Sequence, residues 1–168
     1  MNQLNLIRAG RLVLLLALQI SIFNQIHIGG YVTPLLIGYM LVCFQNDVSR
    51  TGLLVWGFLT GFLFDMFSNT AGMASASCTL LAMMQPKLLK LFSTFDPNEI
   101  FAPNIQSMGL WRYLTYVFFC MLVLHTAFYA LDAFTLQNWP LTLIAIGGST
   151  AMATLLCLFS EMFVRRRK

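Results

Sequence analysis

Six apolar stretches, at about 12–28, 31–46, 51–67, 71–89, 113–131 and 139–164, take up most of this chain of 168 residues. A helix that crosses a bilayer needs roughly 17–25 predominantly apolar residues, and each stretch reaches or approaches that length. Only 10% of the residues are charged while 58% are apolar. A water-facing domain carries charge on about a quarter of its residues, so too few charges are present to clothe such a surface. Lipid removes the difficulty, because residues that face hydrocarbon should be apolar. The expected fold class is all-α: a polytopic membrane protein with six transmembrane helices in a single transmembrane domain, 1–168, and a cytoplasmic loop at 92–112. The second stretch is the shortest, and Pro34 is expected in its first turn, where a missing N–H costs little.

The basic residues set the direction. Arg8 and Arg11 precede the first stretch, Arg50 follows the second, Lys87, Lys90 and Arg112 flank the loop after the fourth, and Arg165, Arg166, Arg167 and Lys168 close the chain. The connections near Gly29, Asn69 and Gln137 carry no Lys or Arg. This alternation predicts that both termini are cytoplasmic. The net charge of +4 then reads as topology and as contact of Arg165–Lys168 with anionic lipid headgroups, not as a nucleic-acid surface. The first stretch lacks a small-residue cleavage site and is read as an uncleaved span. Trp111, Tyr113 and Tyr116 are expected at the inner interface and Trp139 at the outer one. Cys43, Cys78, Cys120 and Cys157 lie in apolar runs without a C-x-x-C pair, so neither disulfides nor a metal centre is expected.

Asp96-Pro97-Asn98-Glu99 combines an N-cap residue, a proline at the first helical position and a glutamate three after the cap. It predicts a short helix ending near Pro103, with Ile100, Phe101, Ile105 and Met108 on the inner membrane surface. Two readings are open for this loop, a structured connector and a docking surface for a cytoplasmic partner.

Gly57 and Gly61 share one helix face, and small residues at that spacing let a second backbone come close. Ala71, Gly72, Ala74, Ser75, Ala76 and Ser77 open the next span. Gly57, Gly61 and Gly72 are therefore assigned to helix packing in a tight hairpin. Asp65 is an intramembrane carboxylate about 6 Å from the outer end of its span at 1.5 Å per residue. It can brace the turn through N–H groups around Asn69 to Gly72, contact another span, or hold a proton or ion. His125 can bond a neighbouring helix or pair with Asp65. Gln19 and Asn24 suit interhelical hydrogen bonds, and Glu161 lies four residues before Arg165, within reach of an ion pair. No H-E-x-x-H, G-x-S-x-G or Walker loop occurs, and no enzyme activity or cofactor is expected.

These residues resemble the rod shape-determining protein MreD family. The likeness rests on a polar Gln19 in the first span, Gly30 and Pro34 opening the second, and the pattern Gly57, Gly61, Phe62, Asp65 and Gly72. It covers spans one to four, and the last two by hydropathy and length. Leu35 stands where many members carry an acidic residue, and Phe62 where they carry Leu. The resemblance implies a fold similar to the substrate-binding subunits of energy-coupling-factor vitamin transporters. It implies a non-enzymatic scaffold of the bacterial inner membrane in the cell-elongation machinery that supports peptidoglycan synthesis and cell shape. Implied partners are an MreC-like membrane protein, MreB, RodA and a class B penicillin-binding transpeptidase. The competing expectation is a vitamin-like small-molecule binding subunit of a membrane transporter.

Overall fold

A computed structural model describes residues 3–21, 33–93, 101–133 and 139–165. Asn24, Asp96–Glu99, Gln137 and Arg166–Lys168 lie outside the described residues. Seven helices follow one another among the described residues: α1 (Gln3–Ser21), α2 (Gly38–Val42), α3 (Arg50–Ser68), α4 (Met73–Phe92), α5 (Ile105–Met108), α6 (Leu110–Asp132) and α7 (Trp139–Arg165). No strand occurs among them. Three helices are long and apolar enough to cross a membrane: Arg50–Ser68, Leu110–Asp132 and Pro140–Met162. The apolar part of α1, Leu12–Ser21, is shorter.

Local chemistry sets the ends. Ser49 caps α3, its Oγ accepting from the Gly52 N–H at 3.2 Å. The helix stops where Asn69 turns left-handed, at φ 55°. Gly72, also left-handed at φ 82°, opens α4. A connection this short forces α3 and α4 to run antiparallel. The most extensive contact in the bundle is between them, followed by α4 with α6 and α6 with α7.

The second apolar stretch departs from the continuous helix expected over 31–46. Described from residue 33, it holds one short helix, Gly38–Val42, and Pro34 lies before that helix on irregular backbone. Leu35, Leu36, Ile37, Met40, Leu41, Val42 and Phe44 are all buried. This segment is therefore the centre of the bundle, in contact with α1, α3, α4 and α6.

The expected helix start at Asp96–Glu99, with Ile100, lies outside the described residues; residues 101–103 are not helical, and a short helix follows Pro103 at Ile105–Met108. Asn104 and Ser107 close a reciprocal capping box there, at 2.6 and 3.1 Å. Met108 is buried, and Phe101 and Ile105 lean on the core. Phe101 exchanges two hydrogen bonds with Asn46, at 3.0 and 3.3 Å. These apolar side chains turn toward the protein, not toward a membrane surface, because the core offers them fixed partners.

Candidate functional site: a buried broken segment and its polar braces

Backbone that leaves a helix inside an apolar bundle exposes N–H and C=O groups that lipid cannot satisfy. Here side chains from four helices satisfy them. Gln19, fully buried on α1, donates from Nε2 to the Pro34 carbonyl at 2.9 Å and accepts at Oε1 from the Leu36 N–H at 2.7 Å. The Leu35 N–H donates to Nε2 of His125 at 3.2 Å. The Thr33 N–H reaches the Tyr129 hydroxyl at 3.1 Å and Oγ of Ser149 at 3.2 Å, and those two oxygens are 2.9 Å apart.

The other end of the segment is held in the same way. The Tyr116 hydroxyl donates to the Val42 carbonyl at 3.1 Å, and Gln85 donates to the Tyr116 oxygen at 2.9 Å. The Tyr39 hydroxyl donates to Oε2 of Glu161 at 2.7 Å. Tyr129, His125 and Tyr116 thus form a ladder along α6, touching the segment at residues 33, 35 and 42. Thirteen helical residues separate the outer rungs, about 20 Å at 1.5 Å per residue. The segment therefore runs antiparallel to α6 over most of its length.

His125 is 0% exposed and both ring nitrogens are engaged. Nε2 accepts from an N–H, so Nδ1 carries the proton and donates to the Met121 carbonyl at 2.8 Å. This is a neutral imidazole fixed between two backbone groups.

Asp65 sits at the other pole of the α3–α4 hairpin. Its Oδ1 accepts from the Thr70 hydroxyl at 2.6 Å and the Ala74 N–H at 3.0 Å. Its Oδ2 accepts from the Ser75 N–H at 2.8 Å and from the Ser75 hydroxyl. Four donors from the turn and the first residues of α4 surround one carboxylate. The pairing of Asp65 with His125 is thus not formed, because each has its own set of partners. One donor, the Thr70 hydroxyl, lies within the Asn69–Gly72 turn, and the two backbone N–H donors, Ala74 and Ser75, lie just past it.

Gly57 and Gly61 face α4 at close range. A Cβ on Gly57 would stand 2.7 Å from Ala82 Cβ and 2.9 Å from the Cys78 carbonyl oxygen. One on Gly61 would meet the Ala74 carbonyl and stand 2.5 Å from Ser75 Cα. Gly72 plays a different part from helix packing: nothing lies within 4 Å of its Cβ position, and its left-handed φ makes the turn.

Tyr113 and Tyr116, expected at the interface, are 0% exposed and turned inward, whereas Trp111 is 79% exposed. Glu161 bonds Tyr39, while the side chain of its expected partner Arg165 lies outside the described residues. Sequence reasoning missed Tyr39, Gln85, Tyr129 and Ser149 as braces. The signal was there: each is a polar residue inside an apolar run, and the short second stretch with Pro34 called for partners to its freed backbone groups. Among the described residues no three His, Cys, Asp or Glu converge as metal ligands. Comparison with protein-family models, with curated proteins and with solved structures returns no match.

Proposed function

We propose that this chain crosses a bacterial inner membrane six times with both termini cytoplasmic, and serves there as a scaffold of the cell-elongation machinery. In this reading it is an MreD-like, non-enzymatic protein that binds an MreC-like membrane protein and, with it, the filament and synthase components that build the wall. The broken segment counts as the second crossing, since its braces run along α6 from Tyr116 to Tyr129, about 20 Å at 1.5 Å per residue. Arg50 at the start of α3, Lys87 and Lys90 at the end of α4 and Arg112 at the start of α6 then share the cytoplasmic end.

The observation that carries the reading is how the motif residues are used. Gly57, Gly61, Asp65 and Gly72 all go into one rigid hairpin, with the carboxylate held by four donors of its own chain. Outward, α3 presents Val55, Phe58, Phe62 and Met66, and α7 presents Leu143, Leu155 and Phe159. Such faces suit lipid and the helices of partner membrane proteins. The energy-coupling-factor-like fold belongs to the same reading.

Depletion in rod-shaped cells tests it. Rounding of the cells, with an MreC-like protein co-purifying with the tagged full chain, is the expected result. Unchanged shape with lost uptake of a vitamin-sized nutrient would contradict it and favour a transporter subunit.

A further inference from the structure

Basic side chains from two helices meet at one end of the bundle. On α4 the residues Leu80, Met83, Lys87 and Lys90, spaced three or four apart, form one exposed stripe. Its upper half is apolar, and its lower half, nearest the helix end, is basic. On α6 the exposed Arg112 lies seven residues before the exposed Phe119 and so shares its face.

The packing of these helices fixes the depth of each group. Leu81 and Leu124 both crowd Gly38, and Gln85 donates to the Tyr116 hydroxyl at 2.9 Å, so α4 and α6 run antiparallel. Counted from that bond, Lys90 lies about 7.5 Å toward the end of α4, and Arg112 about 6 Å toward the start of α6, at 1.5 Å per residue. The two residues therefore stand at about one depth. Packed helix axes are about 8–10 Å apart, a gap that a lysine and an arginine side chain close around one phosphodiester. Above them Phe92 of α4 stacks on Phe119 of α6, ring centroids 5.3 Å apart, and this pair gives the gap an apolar floor.

The setting of Arg112 calls for an anion. A cation in the first turn of a helix meets the positive end of the helix dipole, and the first turn of α6 holds no acidic residue to offset it. Lys90, by contrast, occupies the last turn of α4, where a cation suits the helix. Beside Arg112, Trp111 is 79% exposed, as befits an aromatic side chain at headgroup depth.

We propose that these ends of α4 and α6 bind one anionic phospholipid. Lys87, Lys90 and Arg112 hold its headgroup, the guanidinium offering a planar fork of donors to the phosphate. Its acyl chains lie along Leu80, Met83 and Phe119. The depth of the site rests on the crossing arrangement proposed above, which sets all three basic residues at the cytoplasmic headgroups. A negative headgroup completes the charge there, and a zwitterionic one does not.

Native mass spectrometry of the full chain in mild detergent tests this, with phosphatidylglycerol and phosphatidylcholine titrated in turn. The unchanged chain should retain one phosphatidylglycerol in preference to phosphatidylcholine. Arg112→Gln should weaken that retention about fivefold, and Lys87→Gln with Lys90→Gln about thirtyfold. All three positions are exposed, so the melting temperature should hold; where one variant does not fold, the other carries the test. Arg50→Gln, exposed at the same end but on α3, should retain the lipid as before. Equal retention of the two lipids overturns the site, and so does undiminished binding by a folded α4 or α6 variant. Arg50→Gln weakening retention as much as Arg112→Gln also overturns it, since diffuse surface charge would then be the cause. The measurement reads neither sidedness nor partner binding, so its failure leaves the scaffold proposal standing.

Discussion

The side chain of Gln19 closes on both faces of the backbone around Leu36, accepting its N–H at 2.7 Å while donating to the Pro34 carbonyl at 2.9 Å. One amide thus replaces two bonds that a continuous helix would have made within itself. Gln19→Leu keeps the volume and removes both bonds. The expected loss of stability is about 1–3 kcal/mol, read from denaturant unfolding in mixed micelles. A loss indistinguishable from zero would mean that the segment finds other partners.

The three glycines of the hairpin should separate by mechanism. Gly61→Ala drives a methyl into the backbone of Ala74 and Ser75, which cannot rotate away, and should cost the most, at the upper end of about 1–3 kcal/mol. Gly57→Ala meets Ala82 and the Cys78 carbonyl at 2.7 and 2.9 Å and should cost less. Gly72→Ala has open space and bears only left-handed strain, about 1 kcal/mol. The ranking is checked by unfolding the three variants side by side, and Gly72→Ala emerging as the worst would refute it.

Asp65 offers a test that separates structure from function. Asp65→Ala strips acceptors from the Ala74 and Ser75 N–H groups and should cost about 1–3 kcal/mol. Asp65→Asn retains one acceptor oxygen and should cost less. Under the scaffold reading, Asp65→Asn that still folds keeps rod shape in complemented cells. A folded variant that loses function would instead show the carboxylate holding a proton or an ion.

How much of this was readable from the sequence depends on which physics was local. Helical class and bilayer-compatible length follow from apolar runs, which α3, α6 and α7 display. Asp65 sits one turn before a short connection, so its reach was confined to nearby donors. The break in the second stretch was not readable in the same way. Pro34 allows a helix start as well as an irregular approach, and only the neighbours decide. Those neighbours are Gln19, His125, Tyr129 and Ser149, up to 116 residues away in sequence. Tyr113 and Tyr116 misled for a related reason: aromatic residues near a helix end suit an interface, but the buried Val42 carbonyl and the Gln85 side chain claim Tyr116 for the interior.

The most direct test of the account is the sidedness of the hairpin turn. Single reporter tags at Asn69 and at Gln106, in otherwise intact chains in living cells, read which compartment each position faces. The expected result is Asn69 outside and Gln106 in the cytoplasm, with the broken segment counted as a full crossing between α1 and α3. Asn69 inside the cell, or both positions on one side, would contradict the six-crossing arrangement and the scaffold built on it.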